Sequence, residues 1–175
     1  ELIKIKNIKF IIGNHDYWFI DWINEGVASS SWIIQGGMET IESYINPPDK
    51  QIKFFRAWEM KNKSYNDYIP LSHIKFLNSG QYYYVDSNNR AFIHAGFDLD
   101  IPLEENTVET LTWDRSLFDY ASEEHENIKK VSGFTEVYIG HTPVVNLTNK
   151  GPLNSCEVWN LDTGSGLNGK LTILD

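Results

Sequence analysis

Three of the chain's five histidines follow the same kind of segment. Ile8-Lys9-Phe10-Ile11-Ile12 runs into Gly13, then Asn14, His15 and Asp16. Ala91-Phe92-Ile93 runs into His94-Ala95-Gly96, and Glu136-Val137-Tyr138-Ile139 into Gly140-His141-Thr142-Pro143. One histidine after a strand is more often structural than functional. Three in equivalent places reverse that weighting, because neutral imidazoles converging at one sheet edge are a common way to hold a transition metal. Imidazole nitrogens joined by an amide oxygen suit a borderline divalent cation such as Mn, Fe or Zn. Such an ion polarises a phosphoryl oxygen and activates water, and a pair of ions clamps both attacking and leaving oxygens. Phosphate-ester hydrolysis also needs a proton for the leaving alkoxide and a guanidinium for the equatorial oxygens. Asn14 and His15 are neighbours, so one can ligate while the other faces substrate. Arg115, beside Trp113 and Asp114, fits a phosphate fork; an ion pair with Asp114 or Asp119 fits the spacing equally well.

The elements that must position these groups follow from periodicity. The Ile8 run has strand length, and Gly13 lets the backbone leave the sheet sharply, so Asn14, His15 and Asp16 are expected in a loop at the strand's carboxyl end. Helices are expected over Tyr17–Ala28, with Trp18 and Trp22 as core, over Met38–Ile45 after the Gly36-Gly37 break, and over Leu71–Leu77 before Gly80. Ser29–Gly37 reads as a loop, and Lys50–Met60, with Arg56, as either helix or strand. Tyr82–Val85 and Ala91–His94 read as an antiparallel hairpin around Asp86-Ser87-Asn88-Asn89. Phe97–Asn106 reads as an irregular loop. Ser116–Lys130 reads as a polar helix whose Glu123, Glu124 and Glu126 form a solvated face. Glu136–Ile139 is a strand, and two more are expected near Glu157–Leu161 and Lys170–Leu174. Between them, Asp162-Thr163-Gly164-Ser165-Gly166 lacks the Lys-Ser/Thr ending of a nucleotide P-loop and reads as a tight turn. Residues 1–175 carry no repeat and no linker and read as one domain of the α/β (α+β) class.

Composition narrows the partners. A chain of 175 residues with 41% hydrophobic and 14% aromatic content can bury a real core. A formal net charge of −9 argues against a nucleic-acid backbone, while a bound metal can still supply local positive charge for a small phosphorylated group. Cys156 is the single cysteine, which points to a reducing, cytoplasmic setting. No apolar run approaches the roughly 18 residues that span a bilayer, so no membrane partner is expected.

Gly13-Asn14-His15-Asp16, His94-Ala95-Gly96 and Gly140-His141-Thr142, in that order, resemble the later signature blocks of the calcineurin-like metallophosphoesterases. Trp113-Asp114-Arg115, Asn160-Leu161-Asp162-Thr163-Gly164 and the Gly36-Gly37…Thr40…Ser43-Tyr44 run are similar to the bacterial serine/threonine protein phosphatase branch. Each block is weak alone; the ordered set is specific and spans essentially the whole chain. The resemblance implies that Asn14, His94 and His141 ligate the second of two metals, Mn first among Mn, Fe and Zn. It implies His15 as the general acid, Arg115 as a phosphate-contacting arginine and Asp16 as a residue orienting the loop from outside the ligand set. The implied fold is a two-sheet sandwich flanked by helices. The implied substrate is a phosphoserine or phosphothreonine protein or a small phosphoester, with diadenosine polyphosphates as the sibling alternative.

The sequence departs from that pattern in one respect. Asp-x-His and Gly-Asp-x-x-Asp-Arg-Gly blocks, which carry the first metal's ligands in the family, do not occur in the 175 residues. The expectation is that the chain corresponds to the carboxyl-terminal portion of the fold, lacks the amino-terminal part, and is poorly active or inactive without it, or serves as a binding scaffold. Strand edges left by that missing part are expected to favour self-association.

Overall fold

The computed structural model describes residues 7–45, 68–123, 129–144 and 151–174. The chain divides into two compact units: Glu1–Phe10 with Asn14–Gly80, and Ile11–Gly13 with Gln81–Asp175. The expectations for Lys50–Met60 with Arg56, and for Glu124 and Glu126, fall outside the described residues.

The first unit is helical. Helix α1, Asn14–Glu25, buries Phe19 and Trp22 one turn apart and carries Asp16 in its first turn, where a carboxylate complements the helix dipole. Its start corrects the sequence reading: Asn14, His15 and Asp16 begin a helix and do not form a loop. The Ser29–Gly37 loop is corrected too. Ser30–Trp32 is a helical turn continuing through Ile33–Gly37, broken at Gln35 and at Gly36. Gly36 has φ +107°, a conformation that favours glycine, so the expected break at the glycine pair is there. Helices α2, Met38–Ile45, and α3, Leu71–Leu77, have the boundaries that periodicity gives. Phe19 sits at the middle of the core, with its ring centroid 5.8 Å from Trp22, 6.0 Å from Trp32 and 5.5 Å from Tyr44. Trp22 and Trp32 are each 1% exposed, so these indoles are core.

The second unit is a five-stranded mixed sheet with helices packed on it. Strands β1 (Tyr83–Val85), β2 (Arg90–Ile93), β3 (Glu136–Ile139), β4 (Leu153–Ser155) and β5 (Val158–Asn160) lie in the order β1-β2-β3-β5-β4. The central β2, β3 and β5 run parallel, and β1 and β4 are antiparallel edges. Alternation is strict. Ala91 and Ile93, Val137 and Ile139, Val158 and Asn160 are buried, while Phe92, Tyr138 and Trp159 between them are half-buried on the other face. Helices α4 (Val108–Trp113) and α5 (Ser116–Ser122) supply Leu111, Leu117 and Ala121 to the core over Ala91, Val137 and Val158. Val108–Trp113 starts on a Thr107 cap, whose hydroxyl accepts the Thr110 amide.

Two expected strands reduce to single bridges, Ile11 with Gln81 and Gly164 with Lys170. The polar helix expected over Ser116–Lys130 is corrected: it ends at Ser122, where Glu123 turns extended at φ −63°, ψ 144°, and Lys129 and Lys130 lie outside any helix. The Phe97–Asn106 loop holds one short 3-10 turn, Leu103–Glu105. The described residues therefore show a mixed α+β fold with a five-stranded sheet flanked by helices. No described helix is long and apolar enough to cross a membrane.

Candidate functional site

Because β2 and β3 are parallel neighbours, their carboxyl ends share one edge of the sheet. His94 directly follows β2, and Gly140-His141-Thr142 follows β3. The Gly140 amide donates to the His94 carbonyl at 2.8 Å, fixing the two ends against each other beyond the last ladder pair. The Thr142 amide then donates back to the Gly140 carbonyl at 2.7 Å, closing a three-residue turn around His141, whose φ is +66°. An i to i+2 bond around a positive-φ residue is the rarer hand of γ-turn, and non-glycine residues held this way cluster at functional sites.

The turn brings the two imidazoles together. Their centroids are 5.1 Å apart at 62°, and the Trp113 ring meets His141 edge-on at 5.3 Å. Gly13 lies against His94 so closely that a Cβ there would stand 2.6 Å from Cε1 and 2.7 Å from Nδ1 of the imidazole. Glycine at position 13 thus makes room for the His94 ring, a role beyond the chain turn that sequence suggests.

Arg115 lies between α4 and α5, and its Nη1 donates to the Thr142 hydroxyl at 2.7 Å. Asp114 turns the other way: its Oδ1 accepts the Ser116 hydroxyl at 2.8 Å and its Oδ2 the Leu117 amide at 3.1 Å. Of the partners that spacing offered, the carboxylate caps α5 and the guanidinium reaches the turn carrying His141. Beneath the turn, the Asn160 amide is 1% exposed. It donates to the Thr142 carbonyl at 3.1 Å and accepts the Asp162 amide at 3.0 Å.

The structure thus gathers His94, His141 and Arg115 in the second unit. Asn14, His15 and Asp16 belong to the first unit, in the opening turn of α1. Asn14 is buried, and His15 is exposed with its ring edge-on to Trp18 at 5.3 Å. Desolvation lowers the pKa of His15, and the neighbouring Asp16 charge pulls it partly back up. Sequence reasoning gave no role to Thr142 or Asn160. The available signal was parity, since Asn160 is a polar residue at the inward position of an otherwise apolar strand.

Whether these residues fit a metal can be tested on the ring geometry. With a metal–nitrogen bond of about 2.1 Å, each ring centroid lies roughly 3.2 Å from the ion, so two tetrahedral imidazole ligands stand about 5.3 Å apart. The observed 5.1 Å at 62° matches that separation and equally matches ordinary edge-to-face packing of two rings. No group of three or more His, Cys, Asp or Glu able to hold a metal occurs among the described residues. Among the described residues of this unit, two neutral imidazoles are what such an ion would meet.

A cavity of 740 Å³ in the same unit is lined by Phe97, Asp98, Asp100, Asp114, Leu117 and Tyr120, among others, and not by the histidines. Its three carboxylates make it a poor receptor for a phosphate anion. Comparison of the sequence with protein-family models and with curated proteins returns no match.

Proposed function

We propose that this chain takes part in metal-dependent hydrolysis of phosphate monoesters, with phosphoserine or phosphothreonine proteins as the substrate class and the two-sheet metallophosphoesterase fold as its framework. One observation carries the reading: two imidazoles in contact, with centroids 5.1 Å apart, and a guanidinium bonded to the residue that follows one of them. His94 and His141 would hold the divalent cation, manganese first, and the ion would supply positive charge to a phosphoryl group. Thr142 occupies one of the five Arg115 N–H donors, which leaves the rest of the planar fork to bind and orient phosphate oxygens. Trp113 against His141 shields one side of that imidazole from water. The roles of Asn14 as third ligand, His15 as proton donor and Asp16 as its neighbour rest on the resemblance alone.

A second reading has its own support. A centre of neutral ligands with no carboxylate in the group binds cations weakly, which favours a phosphate-binding scaffold over a catalyst. Hydrolysis of p-nitrophenyl phosphate with added Mn²⁺ separates the two, with His15→Asn, His94→Ala and Arg115→Ala beside the unaltered chain. Turnover that needs Mn²⁺ and all three residues supports the hydrolase. Mn²⁺-dependent phosphate binding without turnover supports the scaffold, and binding of neither ion overturns both.

A further inference from the structure

We infer that Thr142 is the positioning residue for Arg115, setting how the site takes up a phosphate group. The inference rests on the phosphoester reading and deepens it.

All three polar groups of Thr142 are engaged. Its amide donates to Gly140, its carbonyl accepts from Asn160, and its hydroxyl accepts from Arg115. The bonds to Gly140 and Asn160 fix the backbone on both sides of the side chain. The hydroxyl is thus a fixed point, held by the same γ-turn that holds His141. Arg115 is the opposite case: it is exposed, on a long side chain with many rotamers, at a junction between two short helices. Without an anchor such a guanidinium samples many positions, and ordering it on binding weakens affinity. The bond to Thr142 settles that ordering beforehand and ties it to His141, one residue away.

A purely structural role for this contact predicts something different. The bond is exposed and joins segments 27 residues apart, and exposed polar contacts of this kind add little to stability. Loss of the hydroxyl should therefore leave folding almost unchanged and appear in anion affinity, and only while Arg115 is present.

The experiment is calorimetric binding of inorganic phosphate to the Mn²⁺-loaded chain, with Thr142→Val, Thr142→Ser, Arg115→Ala and the double variant Thr142→Val/Arg115→Ala. The expected result is phosphate affinity about fivefold weaker in Thr142→Val, from loss of the anchor that orders Arg115 beforehand, and near-full recovery in Thr142→Ser. In the Arg115→Ala background, Thr142→Val should have no further effect. Should Thr142→Val fail to fold, Thr142→Ala carries the same comparison. Arg115→Ala weakening phosphate while Thr142→Val matches the unaltered chain overturns this inference and leaves the phosphoester reading standing. An equal loss from Thr142→Val with and without Arg115 also overturns it. An unaltered chain that binds no phosphate removes the phosphoester reading and the inference together.

Discussion

His94 and His141 follow different strands, and their ring centroids stand 5.1 Å apart where the parallel ladder of β2 and β3 is extended by the bond from the Gly140 amide to the His94 carbonyl. If the pair shares an ion, each ring is half of the described protein ligation. Removing a residue that merely supports a ligand typically weakens metal affinity about 10- to 100-fold, so removing a ligand should do more. His94→Ala and His141→Ala are each expected to weaken Mn²⁺ or Zn²⁺ binding by at least about 100-fold in titration calorimetry. Either variant binding as tightly as the unaltered chain would show that the rings pack without ligating.

Gly13 offers a gentler probe of the same pair. A methyl group there would lie within 3.0 Å of three His94 ring atoms, closer than carbon atoms approach, so the imidazole must rotate or shift. Gly13→Ala should lower Mn²⁺ affinity several-fold at an overpacking cost of about 1–3 kcal/mol. Calorimetry beside a thermal melt reads both quantities. A melt shift with unchanged affinity would mean that the ring's position is irrelevant to the metal.

The hairpin and central strands were legible because period-two alternation with turn residues between runs is a local signal, as in Tyr83–Val85, Asp86–Asn89 and Arg90–Ile93. The helical state of Asn14-His15-Asp16 was misread, because Gly-Asn-His-Asp looks like turn chemistry; the same polar residues also open helices, and Asp16 fits the first turn. Strand β4 was missed for a different reason. It reaches β5 through the two residues Cys156-Glu157, and Cys156 takes φ +50° where such turns favour glycine. Spacing placed His94 and His141 directly after strands, but not the bond from Arg115, between two helices, to Thr142, which depends on tertiary placement.

Asp86 makes a prediction about acid. Its Oδ1 accepts the amides of Asn88 and Arg90 at 2.9 Å, and its Oδ2 meets the Arg90 guanidinium at 2.7 Å. The hydrogen bond from the Arg90 side chain is the chief reason its pKa lies below the ordinary value. A carboxylate with a depressed folded pKa stabilises above its unfolded value, and that stability is lost as pH falls through the folded value. The melting temperature of Asp86→Asn should thus lie below that of the unaltered chain at about pH 6, and the gap should close towards about pH 3. A gap that stays constant or widens on acidification would sink this account of the turn.

Glu157 is buried, at 5% exposed, yet it is not a candidate for the site. It immediately precedes β5, and because β3 and β5 are parallel this is the sheet edge opposite His141. Its carboxylate accepts the Val131 amide at 3.0 Å, the Ser132 amide at 2.6 Å and the Ser132 hydroxyl at 2.5 Å, holding the approach to β3. Glu157→Ala strands those donors without an acceptor and should destabilise by about 2–4 kcal/mol; Glu157→Gln keeps one oxygen and should cost about half as much. Distant sites with no shared partners behave additively, so neither change should alter Mn²⁺ affinity in chain that remains folded. Chemical denaturation followed by calorimetry tests both statements. A stability loss that carries metal affinity down with it would mean that the two sheet edges are coupled, and that the losses expected at Gly13 could not be read as local.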